Sequence, residues 1–140
     1  MIDDGLFERF PIEAAYAMHN WPALPAGCIG INPGPMMAAA DRVTITVTGR
    51  GGHGAHPYLA VDPVLVAAHI IAAAQSIVSR NVPPTQSAVL SLCSMQAGDP
   101  GAMSVIPGEA TLVGTVRSFR RVFAYVTSPL LLRLAQRDVP

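Results

Sequence analysis

The sequence predicts an α+β domain, an antiparallel sheet with a helix packed on one face. Three observations carry this. Val43-Thr44-Ile45-Thr46-Val47-Thr48 alternates apolar and polar residues without a break, the period of a half-buried strand. After Asp62-Pro63, Val64, Ala67, Ala68, Ile71, Ala74 and Val78 recur at helical spacing and form an apolar stripe. Two more alternating runs follow, over 87–96 and 109–119, joined by a short Gly- and Pro-containing link. Neighbouring strands joined this way pair antiparallel.

Taken in order, residues 1–12 are mixed and close at Pro11. Ala14-Ala15-Tyr16-Ala17-Met18 is a short apolar run that reads as a buried strand, ended by His19-Asn20-Trp21-Pro22. Residues 22–35 are dense in Pro and Gly, and only 28–31 has room to be extended. Such a density of breakers marks a connection between units. The first clear strand, 43–48, puts Val43, Ile45 and Val47 on one face and three threonines on the other; β-branched residues favour that pleated surface. Residues 49–54 form a glycine-rich loop. Asp62 is placed to cap the helix amides and Pro63 suits its first position. Arg80 suits the helix C-terminus, and Asn81 is expected to take a left-handed cap before Pro83-Pro84. A second helix and a fourth strand would complete a ferredoxin-like β-α-β-β-α-β unit. Residues 120–140 offer part of that helix at most. Pro129 interrupts it, no clean stripe appears, and the tail is expected to reflect a truncation or a shifted reading frame. Lacking the fourth strand, the first becomes an edge whose unpaired amides invite association.

Composition narrows the function. The chain has 140 residues, with nine basic side chains against nine acidic, and is 51% hydrophobic and 13% charged. Zero net charge leaves no electrostatic footprint for nucleic acid or an anionic membrane. No unbroken apolar run approaches the ~20 residues of a membrane span, and the N-terminus lacks signal-peptide character. The expected location is the cytoplasm. Cys28 and Cys93 lack a CxxC spacing and are expected to be buried thiols.

Two loop histidines carry the chemistry. His19 follows the 14–18 run, and His53 follows Gly49-Arg50-Gly51-Gly52. Loops of this kind display reactive side chains. On the residues alone, His19 reads as a loop histidine packed on Trp21, because a metal such as zinc needs three or four ligands. The loop at His53 lacks the Gly-Lys-Ser/Thr of a phosphate site. A His53/His56 pair has an i, i+3 spacing that could take a metal adventitiously. His69 reads as a surface residue of the helix.

Tyr16-Ala17-Met18-His19-Asn20-Trp21-Pro22, the 48–63 segment with Gly51-Gly52-His53, Met103-Ser104-Val105-Ile106-Pro107 and Gly114-Thr115-Val116-Arg117 occur in an order that resembles the M20 metallopeptidase family, in its amidohydrolase branch. The resemblance runs from about Met1 to about Phe119. It implies a piece of the metal-binding catalytic domain with its linker over 1–35, the lid or dimerisation domain over 36–119, and a divergent tail over 120–140. It implies that His19 is a ligand to one of two divalent ions (Zn, Mn, Co or Ni) in the intact enzyme. It implies that His53 reaches across a homodimer to bind substrate and polarise the scissile carbonyl, as an imidazole donor can. Ser104 stands where the family has a substrate-binding asparagine, and one hydroxyl replaces an amide. Arg117 is a weaker candidate for contacting a substrate carboxylate. The remaining metal-ligand motifs of the family are absent from this sequence. The function so implied is the lid of a metal-dependent amidohydrolase acting on N-acyl amino acids or related amides, inactive by itself. The alternatives are a non-catalytic ferredoxin-like dimerisation module and a small metal-binding protein using His19, His53, His56 and a cysteine.

Overall fold

The computed structural model describes residues 3–119. Two compact units divide between Pro33 and Gly34. The first contains one turn of helix, α1 (Leu6–Arg9), followed by a chain of turns and extended segments. The strand expected over 14–18 is not formed: those residues pair with no strand, and Tyr16 and Met18 are 95% and 88% exposed. An apolar run becomes a buried strand only when neighbours supply its hydrogen bonds and a second layer. The described residues of this unit provide neither. Residues 28–31 likewise belong to no strand.

The second unit is built on strands β1 (Ala39–Thr48), β3 (Ala88–Ala97) and β5 (Glu109–Ser118). Their order across the sheet is β1-β5-β3, and both pairings are antiparallel. The long helix α2 (Pro63–Asn81) connects β1 to β3. These two strands therefore run parallel with β5 inserted between them, a split β-α-β arrangement. Among the described residues β1 has β5 as its one neighbour; the residues after 119, on which the expected edge depends, lie outside the described residues. The strand is longer than the alternating 43–48 core, because Ala39–Arg42 also pair with residues 115–118 of β5.

One face of the sheet and one stripe of α2 make the core. Val47, Ala110 and Leu112 pack with Ala67 and Ile70; Leu90 and Val116 pack with Ala74 and Ile77. Each strand contributes every second residue, as the pleat requires. The helix stripe is rotated from the one expected. Ile70 and Ile77 are buried, Ile71 and Val78 sit at the margin, and Ala68 is exposed. The wide run of small and branched residues in α2 offered several stripes, and the sheet selects the one that puts both isoleucines inward. By length and composition α2 could cross a membrane, but here it is the core helix of the sheet.

Asp62 caps α2 as expected, accepting from Val64 N–H at 2.8 Å and Leu65 N–H at 3.4 Å. The C-terminal end differs. Val82, in an extended conformation, is the cap, and Asn81 does not enter the left-handed region. Pro83 explains this, because the residue before a proline is pushed toward extended backbone. Both cysteines are exposed, contrary to expectation. Cys93 falls where β3 slips register against β5, between Leu92 and Ser94, and such a bulge leaves the extra residue outside the alternation. The second helix expected in 120–140 lies outside the described residues.

Candidate functional site

The loop between β1 and α2 is held at three points. At its base, Arg50 and Val61 form an antiparallel bridge with reciprocal backbone hydrogen bonds of 2.9 Å. At its side, the two-residue strand β2 (Gly52–His53) pairs with β4 (Val105–Ile106), and Gly54 N–H donates to Ser104 O at 2.7 Å. Across its end, Arg50 Nε donates to Leu59 O at 3.1 Å, tying down the 3-10 turn Pro57–Leu59.

Glycine is required where the strands converge. A Cβ on Gly49 would run into the Val61 carbonyl and lie 2.9 Å from Pro63 Cδ. One on Gly51 would lie 2.9 Å from Ile106 O. The glycine-rich stretch is therefore a close-packed crossing of backbones.

This arrangement brings together two sequence-distant candidates. His53 is directly opposite Val105 in the β2–β4 pair, which sets Ser104 beside it. Both residues are exposed. The His53 Nδ1 accepts a hydrogen bond from the Ala55 backbone N–H at 3.1 Å. His56 N–H donates to His53 O at 2.8 Å, closing a turn that places the two imidazoles 5.7 Å apart. Tyr58 continues the row, edge-on to His56 at 6.0 Å. Sequence reasoning pairs His56 with His53 only as an adventitious metal site and does not single out Tyr58 or the Arg50 clamp; the signal for Tyr58 is its i+5 spacing from His53 in one short loop.

Arg117 lies elsewhere in the second unit, and His19 belongs to the first. Arg117 is at the far end of β5 from Glu109, which pairs with Thr48 beside the loop; at about 3.4 Å per residue that separates them by roughly 27 Å. The structure does not bring Arg117 to His53 within one chain. His19 is in the first unit, exposed, with its ring 5.8 Å from Trp21 and Nδ1 2.7 Å from Asn20 O. The packing on Trp21 matches the simpler reading of the sequence. Among the described residues no group of three or more His, Cys, Asp or Glu side chains gathers as a metal site.

The peptidase dimerisation domain profile of the M20 family matches residues 39–124. The chain belongs to the M20 family. Its M20 relatives include the hippurate hydrolase of Campylobacter jejuni, 45% identical over 118 residues. The N-acetylcysteine deacetylase of Bacillus subtilis is 41% identical over 125 residues. These alignments cover 84% and 89% of this chain but 30% and 32% of those proteins, so the chain spans about a third of the length of its curated relatives. The crystal structure of the YXEP protein of Bacillus subtilis, a dinuclear metal-binding peptidase of the M20 family, superposes with a TM-score of 0.58 at 33% identity. That match covers 84% of this chain and 27% of that one. The antiparallel sheet with its packed helix is thus the M20 dimerisation fold.

Proposed function

We propose that this chain supplies the lid of a metal-dependent amidohydrolase that cleaves N-acyl amino acids or related amides. The reading takes residues 36–119 as the lid and dimerisation domain, 1–35 as a piece of the catalytic domain with its linker, and 120–140 as a divergent tail. The observation that carries it is the β2–β4 pair, which fixes His53 and Ser104 side by side on a loop tied down at three points. The names of the relatives, a hippurate hydrolase and an N-acetylcysteine deacetylase, support the substrate class.

In this reading the whole protein is a cytoplasmic homodimer, with no nucleic-acid or membrane partner. His53 of one protomer donates a hydrogen bond to the substrate carbonyl in its partner's site, where negative charge develops on oxygen. A preorganised donor of this kind is worth about 10²–10³ in kcat. Ser104 adds a hydroxyl to substrate binding, and Arg117 is the weaker candidate, for a substrate carboxylate. His19 would be one ligand of two divalent ions, Zn, Mn, Co or Ni, which supply water activation and carbonyl polarisation when bound. Among the described residues no three His, Cys, Asp or Glu side chains gather as a metal site, so the reading takes the other ligands from the rest of the whole protein. The chain alone is therefore expected to be inactive.

Two assays test this. The purified chain, given N-acyl amino acids with zinc, manganese or cobalt, should show no turnover; metal-dependent turnover would mean that a complete site exists within it. In the second, residues 36–119 replace the corresponding lid of an active relative. Turnover should return, and His53→Ala in that chimaera should lose about 100-fold or more in kcat. An active chimaera indifferent to His53 would leave only a dimerisation module.

A further inference from the structure

We propose that the backbone amide of Ala55 sets the tautomer of His53, holding Nδ1 as an acceptor so that Nε2 carries the proton and faces outward as a donor. A neutral imidazole has one N–H and one bare nitrogen, and the partner of one nitrogen decides the state of the other. In His53 the partner is an N–H: Ala55 N donates to Nδ1 at 3.1 Å. A donor cannot face a donor, so the proton is on Nε2.

Ala55 can fill this role because the loop around it is fixed. Gly54 N–H is tied to Ser104 O at 2.7 Å on one side, and His56 N–H to His53 O at 2.8 Å on the other. The amide between them is aimed by both bonds. Ala55 is a positioning residue, acting through its main chain.

Two chemical consequences follow. His53 is fitted to donate to a carbonyl or oxyanion, and not to act as a base through Nε2. It is also withheld from metal ligation. The His53 and His56 rings are 5.7 Å apart, close to the roughly 5 Å expected of two imidazoles on one ion with metal–nitrogen bonds of about 2.0–2.1 Å. Yet the Nε2 of His53 offers a proton and not a lone pair, while its lone pair on Nδ1 is already engaged. The same hydrogen bond thus selects substrate binding over chelation. The tautomer stands on geometry alone; its catalytic meaning rests on the role proposed above for His53.

The test uses the 140-residue chain labelled with ¹⁵N and carrying Cys28→Ser and Cys93→Ser, so that thiols do not bind metal. A scalar coupling across the hydrogen bond, from the Ala55 amide nitrogen to His53 Nδ1, should be observed with the proton on Nε2. Two variants separate the ring's two ends. His53→Asn keeps an acceptor near the Nδ1 position, and the Ala55 amide should stay protected from exchange. His53→Gln keeps an outward N–H but no such acceptor, and that amide should exchange roughly 3- to 10-fold faster. Adding Ni²⁺ should leave the His53 signals no more affected than those of the isolated His69.

A proton found on Nδ1, no coupling with unchanged exchange in His53→Gln, or selective Ni²⁺ binding at His53 and His56 would each overturn the proposal. In the lid chimaera, His53→Gln should retain more kcat than His53→Asn. Equal loss in both, with the coupling intact in the unsubstituted chain, would overturn the donor role of His53 and leave the tautomer standing.

Discussion

Replacing Gly49 with alanine tests whether the loop that presents His53 depends on close backbone packing. The added methyl group would run into the Val61 carbonyl and press on Pro63, with Cδ at 2.9 Å and Cβ at 3.3 Å. That carbonyl accepts the Arg50 N–H, and the Val61 N–H donates back. Moving Val61 breaks both bonds, at about 0.5–1.5 kcal/mol each. Pro63 is fixed as the first residue of α2 and is buried, so it yields little, and overpacking there adds about 1–3 kcal/mol. The sum is a loss of about 2–6 kcal/mol. With a urea m-value of about 2 kcal/mol/M, the midpoint should fall by roughly 1–3 M. Exchange of the Arg50 and Val61 amides should accelerate more than that of the β5 amides. A midpoint within about 0.3 M of the parent, with both amides still protected, would refute the argument: the crossing would then have room, and the glycine would not be what holds the loop.

Other substitutions probe the rest of the unit. Asp62→Ala removes the cap of α2 and should cost about 1 kcal/mol in urea unfolding, while Asp62→Asn should cost less. Leu112→Ala opens a cavity at the centre of the sheet, where the side chain is fully buried, and should cost about 2–5 kcal/mol, the largest loss of any single aliphatic truncation in β5. Cys28→Ser and Cys93→Ser should each change stability by less than about 0.5 kcal/mol, and both thiols should react with Ellman's reagent in the folded chain without a slow phase. Adding zinc to the unsubstituted chain, both thiols kept reduced, should leave its thermal midpoint unchanged; a rise that saturates would support a metal-binding protein instead.

Much of the second unit was legible because its signals are local. The alternation over 43–48 and 109–119 and the Asp62-Pro63 start each arise from one segment and survive into the structure. The misses share a cause: they needed partners. Ala14–Met18 reads as a strand, yet a strand exists only beside another. The choice between Ile70 and Ile71 as the inward residue depends on where the sheet meets the helix, not on the helix pattern. Cys93 belongs to an apparently regular alternation, and only the pairing of β3 with β5 shows the slipped register. The glycines at 49 and 51 flagged a loop, but not that Val61 and Ile106 press against it. For the candidate site, the motif singles out His53 as a proposal. The hydrogen bond that orients its ring, from Ala55, comes from main-chain geometry, which leaves no mark in residue identity.

Among the described strands, the middle one of the sheet is the last to be synthesised. β1 and β3 touch β5 and not each other, and Ala39 pairs with Ser118 across most of the domain. No part of the sheet can close while β5 is still within the ribosome. Until then α2 has only unpaired strands to lean on, and its buried face must wait in water or in the care of a chaperone. Contacts so far apart in sequence slow the search for the native state, and exposed strand edges during that interval favour aggregation. The interval between the emergence of Ala39 and the arrival of Ser118 is thus the time over which these strands stay unpaired. Slower translation through 98–108 would lengthen that exposure, and a stronger turn there would shorten it.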